Sequence, residues 1–111
     1  MKHLSYALSD SDIEAILFAF SILPSIDIEQ SEVQASINYQ CCRSAAEKLC
    51  NRETNITPNE LRIIYAALQA VQFICRGELY SSPETKKQCM NYLFTVNKLI
   101  SVLSPLLEPL L

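Results

Sequence analysis

Between Thr57 and Gly77 the chain carries a complete set of helix boundary signals. Thr57 has a side chain that caps a helix N-terminus. Pro58 suits the first helical position, where no amide hydrogen is needed, and Glu60 completes a capping box. Ile56 and Leu61 occupy the two positions of a hydrophobic staple. Arg76 puts a cation in the last turn, and Gly77 supplies the left-handed backbone that closes a helix. The signals bracket a helix over about residues 58–76. Within it Ile63, Ile64, Ala66, Ala67, Leu68, Ala70, Val71, Phe73, Ile74 and Cys75 cover most of the circumference. A helix with so narrow a wet side has to be enclosed by other elements. Either a second molecule or the chain's own other helices must cover this segment.

The rest of the chain offers helices for that task. Ser9-Asp10-Ser11-Asp12 opens a first helix, with Ser11 and Glu14 in the spacing of a capping box and Pro24 as its stop. From Ile13 to Leu23 only Glu14 and Ser21 are polar, so this helix is expected to be buried on all sides. A second helix is expected from Ile26 or Asp27 to about Asn51. Its stripe is Val33, Ile37, Cys41, Ala45 and Leu49, flanked by small Ala35, Cys42 and Ala46. Glu29, Glu32, Tyr39, Arg43 and Glu47 mark its wet face. A fourth helix opens at Ser82-Pro83-Glu84 and carries a seam of Cys89, Leu93, Val96, Ile100 and Leu103. Pro105 and Pro109 then punctuate an apolar tail over residues 105–111.

Composition supports helices over strands. Leu (15), Ile (11) and Ala (9) far outnumber Val (4) and Thr (4), and no segment alternates with period two. Three short connections suit antiparallel neighbours. The expected fold is all-α: a single domain over residues 1–111, forming a small four-helix up-and-down bundle. A loose N-terminal segment covers residues 1–9. The run Thr57-Pro58-Asn59-Glu60-Leu61, with the Asn97-Lys98-Leu99-Ile100 end of the fourth helix, resembles short helical-hairpin proteins of bacteria and phages. Those motifs are generic capping and packing signals and transfer no function.

Charge and residue counts remove several functions. Nine Lys and Arg against twelve Asp and Glu give a net charge of −3, too negative for nucleic-acid binding by bulk charge. One glycine leaves no Gly-rich phosphate loop, and one histidine, His3, leaves no histidine pair for a metal or a dyad. The Ala15–Leu23 run is too short to span a bilayer, and Asp10, Asp12 and Glu14 precede it, where a signal peptide is neutral or basic. Cys41, Cys42, Cys50, Cys75 and Cys89 form no C-x-x-C pair. They read as reduced thiols packed as small apolar groups in a cytoplasmic protein, with a zinc or redox site as the sharper alternative. No catalytic residue, metal ligand or cofactor is expected.

What remains is a surplus of apolar surface. Two helices lack an ordinary wet half, and the tail adds leucines. Phe18, Phe73, Met90, Phe94, Leu106, Leu107, Leu110 and Leu111 are the expected contact residues. The chain is expected to self-associate as a homodimer or larger assembly, or to bind another protein. In that reading it is a non-enzymatic regulator or inhibitor, of the kind encoded by phages and mobile elements. The alternative is an oligomeric binder of a small anionic ligand such as a nucleotide. Its site would be the polar strip Arg62, Tyr65, Gln69, Gln72 and Arg76, which aligns along the third helix. Lys86 and Lys87, in the first turn of the fourth helix, are a further candidate contact for an acidic partner.

Overall fold

The structure is a computed structural model that describes residues 8–23, 32–53 and 55–107. Among the described residues the chain forms four helices: α1 (Asp10–Ile22), α2 (Glu32–Cys50), α3 (Pro58–Arg76) and α4 (Pro83–Leu107). Among them there is no strand. The expected all-α bundle is what the chain builds.

α3 forms as its boundary signals require. Thr57 Oγ1 accepts from the Glu60 amide at 3.1 Å, and the Glu60 carboxylate accepts from the Thr57 amide at 2.8 Å. Gly77 has φ 76°, and the Gly77 and Glu78 amides donate to the Ile74 and Phe73 carbonyls, a Schellman closure. Ile56 and Leu61 are both buried, so the staple is made inside the core. α3 packs against α4, α2 and α1, which accounts for its nearly continuous apolar surface. Ile64, Ala67, Leu68, Val71 and Ile74 are its buried positions at the centre of the molecule.

α1 runs antiparallel to α4, because Asp12 meets Lys98 while Phe18 stacks on Tyr92 at 4.5 Å between ring centroids. Its cap lies two residues before the expected Ser11–Glu14 pair. Ser9 Oγ accepts from the Asp12 amide, and Asp12 accepts from the Ser9 amide. The tertiary contact chooses between the two overlapping boxes. Asp12 is buried and accepts from Lys98 Nζ at 2.6 Å, whereas Glu14 turns outward and accepts from the Tyr92 hydroxyl at 3.0 Å. Leu8 packs against the core and Ser9 is the cap, so the expected loose segment does not extend over these two residues. Residues 1–7, His3 among them, lie outside the described residues.

Nor is α1 enclosed on all sides. Ala15, Ile16, Ala19 and Ile22 are buried, but Phe18 and Phe20 are only half-buried, and Glu14 and Ser21 face outward. Its neighbours α3, α4 and α2 cover one side of the cylinder.

α2 is buried only along its second half. Ala45 and Leu49 lie in the core, and Cys41 is half-buried. Val33 is 72% exposed and Ile37 48%. One straight stripe thus starts outside the bundle and ends inside it. Tyr39, Arg43 and Glu47 occupy the wet face as expected. The expected start near residue 26, with Glu29, and the side chains of Glu32 and Ala35 lie outside the described residues. α2 ends in a second Schellman closure, Glu53 N to Lys48 O and Arg52 N to Leu49 O, with Arg52 at φ 60° in place of a glycine. The Arg52 guanidinium donates to the Leu8 carbonyl at 2.9 Å and pairs with Asp10. Those bonds tie the end of α2 to the start of α1.

α4 begins as expected, with Ser82 Oγ accepting from the Thr85 amide. It then continues through Pro105 to Leu107, whereas the proline was expected to open a separate tail. A proline in the last turn forfeits one backbone hydrogen bond. Burial of Leu107, and packing of Leu106 on the core, offset that loss. Leu107 therefore belongs to the chain's own core and is not available as a contact residue.

Candidate functional site

Helical periodicity and the cross-helix bonds define the outward face of the α3–α4 pair. On α3 the exposed arc holds Arg62, Ala66, Phe73 and Arg76, with Tyr65, Gln69 and Gln72 half-buried along its α4 side. On α4 the side turned to α3 is identified by Asn97, whose Oδ1 accepts from Gln72 Nε2 at 2.7 Å. Lys98 and Tyr92 point the other way, to α1. Positions 90, 94, 97 and 101 lie within about 60° of one another around α4, with Phe94 at the edge nearest Lys98. Met90, Phe94, Asn97 and Ser101 are all exposed there.

This face joins the two features singled out in the sequence, the polar strip of α3 and the Met90–Phe94 patch of α4. Phe94 is 85% exposed, Met90 58% and Phe73 37%. A phenyl ring and a thioether one helical turn apart, both facing water, form the most prominent apolar pair among the described residues of α3 and α4. The strip beside them is partly engaged within the chain. Gln72 bonds Asn97, Arg62 Nη1 donates to Asn59 Oδ1 at 3.4 Å, and Tyr65 packs against the core. Arg62 and Arg76 stand fourteen residues apart on one helix, about 21 Å along its axis. They cannot grip one small anion together.

The other expected contact residues are distributed elsewhere. Phe18 is half-buried and stacked on Tyr92 at the α1–α4 seam. Leu106 and Leu107 pack into the core, and Leu110 and Leu111 lie outside the described residues. Lys86 and Lys87 are exposed at the start of α4.

Two carboxylates that the sequence marks only as helix-start residues, Glu60 and Asp12, are buried. Glu60 accepts from Lys48 Nζ at 2.8 Å and from the Ser44 hydroxyl, in addition to its capping bond. Burial alone would raise its carboxyl; the hydrogen bonds from Lys48, Ser44 and Thr57 outweigh burial and hold it at about 2. Asp12 is treated alike by burial, Lys98 and Ser9, with a net lowering. Both are N3 residues of capping boxes whose lysine comes from another helix. Ser44 and Lys48, four apart on α2, were the available signal for the first, but nothing local links them to Glu60. Every bonding group of these clusters is engaged in holding helices together, which leaves them structural. Three of the thiols are held in the unreactive protonated form by burial. Burial pushes Cys89 and Cys42 up to about 11, each with a neighbouring cysteine adding to the effect, and raises Cys75 as well.

Among the described residues no three His, Cys, Asp or Glu side chains gather as a metal site, and no helix is long and apolar enough to cross a membrane. No known protein family, curated protein or solved structure matches the chain.

Proposed function

We propose that this protein is a non-enzymatic regulator or inhibitor that acts by docking another protein on the outward face of α3 and α4. The observation that carries this reading is the exposure of Phe94 and Met90 on a helix whose other side buries Cys89, Val96, Leu99 and Leu103. Burying one such side chain contributes about 1.5–3 kcal/mol, so a partner that covers both gains substantially. Aromatic side chains at the centre of a contact commonly dominate its energetics. Gln69, Gln72, Asn97 and Ser101 alongside them supply the polar rim of such a contact. An extended partner also suits the spread of the face better than a small anion does, given the distance between Arg62 and Arg76.

The test is affinity capture from a homologous cell extract with the wild type and with Phe94→Asp, alongside sedimentation analysis of both. A protein held by the wild type and lost with Phe94→Asp, at unchanged helicity and melting temperature, is the expected result. An identical captured set for the two proteins would remove this face from the function. Loss of a wild-type dimer in the variant would instead identify a second copy as the partner.

A further inference from the structure

We infer, resting on the docking reading above, that the partner covers the α3–α4 face with a helix that carries no charge on its contact side. Nine basic and twelve acidic residues are spread over the 111 of the chain. None falls within residues 63–75 of α3, and none within residues 88–97 of α4. The two uncharged stretches lie side by side, joined by the Gln72–Asn97 bond. From 88 to 107 the one charged residue is Lys98, at the edge of the face beside Phe94, and it donates to buried Asp12 at 2.6 Å. A helix face that meets only water ordinarily carries charged residues. The centre of a protein contact is where charge is depleted and aromatic and Met side chains take its place. Met90 and Phe94 stand within the uncharged stretch of α4. The charges that bound the two stretches are of both signs. Arg76 is followed by Glu78, and Glu84 stands one helical turn from Lys87, so the ends set no preference for a partner of either sign.

That composition restricts what can dock. A carboxylate or an ammonium group brought over residues 63–75 or 88–97 would lose water and meet no opposite charge on those stretches, which disfavours acidic and basic segments alike. Neutral polar groups are served better. Gln72 and Asn97 bond each other and keep further donor and acceptor capacity, and Gln69 beside them adds another amide. The stripe Met90, Phe94, Asn97 and Ser101 runs about 16 Å along the axis of α4, the outline onto which an amphipathic helix lays its apolar side. Even with Phe73 included, the exposed apolar side chains offer about 350 Å². A homodimer interface buries about 800 Å² or more per partner, about 65% of it apolar, so this face suits a single helix of another protein better than a second copy.

The experiment is a chemical-shift titration of the full-length, nitrogen-15-labelled protein with three synthetic amphipathic helical peptides. They share one Leu and Ala stripe and one charged far side, and differ only at the positions flanking the stripe, which carry Gln, Glu or Lys. The Gln peptide is expected to shift amides over residues 65–73 and 90–101 and to bind about ten-fold more tightly than either charged peptide. Its advantage should persist as salt rises, because it stems from lost hydration of the charged peptides rather than from an attraction that salt screens. Ser101→Lys should move the preference to the Glu peptide, at unchanged melting temperature. Equal binding of all three peptides on this face, or tightest binding of a charged one, would overturn the uncharged partner and leave the docking reading standing. Peptide shifts confined to other surfaces, or no shifts, would overturn both. A wild-type dimer in sedimentation that Phe94→Asp dissolves would replace the partner helix with a second copy.

Discussion

α2 and α3 are both nineteen residues long, and both carry an apolar stripe, yet the molecule treats them differently. α3 is packed by all three other helices and buries residues from Glu60 to Ile74. α2 buries Ala45 and Leu49 at one end and leaves Val33 and Ile37 exposed at the other. Their ends differ too. Both close in the Schellman pattern, but α3 uses Gly77 and α2 uses Arg52 at φ 60°. The pair teaches that a periodic stripe states which side of a helix can be buried, not how much of it will be. Its burial depends on where neighbouring helices begin and end.

The largest effect should come from deleting volume at the centre of α3. Leu68→Ala is expected to cost about 3 kcal/mol in denaturant unfolding, because Leu68 is fully buried on the helix that packs against all three others. The matching deletion on α2, Ile37→Ala, should cost less than about 1 kcal/mol. Equal losses would erase the contrast between the helices.

The bond that joins them comes next. Glu60→Ala removes a cap and leaves Lys48 and Ser44 without their acceptor, for an expected loss of about 2–3 kcal/mol at neutral pH. The carboxyl stands at about 2 when folded, against 4.5 as its ordinary value. A depressed carboxyl stabilises fully above its unfolded value, and the contribution is lost as pH falls through the folded value. Stability should therefore decline between pH 4.5 and about 2, and Glu60→Gln should flatten that decline. An unchanged acid slope in Glu60→Gln would assign the decline to other carboxylates such as Asp12.

The two helix ends offer a smaller and sharper contrast. Gly77→Ala should cost about 1 kcal/mol through backbone strain alone, since nothing lies within 4 Å of the added methyl group. Arg52→Gly should change stability by less than about 0.5 kcal/mol, because relief of the same strain offsets loss of the bonds to Leu8 and Asp10. Arg52→Ala keeps the strain and loses the bonds, so it should be the less stable of the two. Thermal melts of the three variants rank them. Native-state hydrogen exchange gives the last comparison: amides early in α2 should exchange faster than those over 64–74.

Much of α3 was legible in advance because its signals are local. A cap, a proline, a staple and a glycine act within a few residues of each other, so Thr57 to Gly77 reads directly as a bounded helix. The same holds for Ser82 at the start of α4. The site was legible only in pieces. Met90, Phe94 and the α3 strip were each visible, but their union depends on the Gln72–Asn97 contact between helices. Leu107 illustrates the limit from the other side, since an apolar residue after a proline reads as a free tail until the core is seen to accept it.

By itself the sequence determined the all-helical class, the extent of α3 and the residues able to line a core, because those follow from capping chemistry and periodicity. Only the tertiary structure decided which of two overlapping boxes caps α1, where the stripe of α2 leaves the core and which lysine meets each buried carboxylate. Those outcomes turn on contacts between residues far apart in the chain: 86 positions for Asp12 and Lys98, and 12 for Lys48 and Glu60. Local pattern holds no record of such separations, and packing of whole helices sets them.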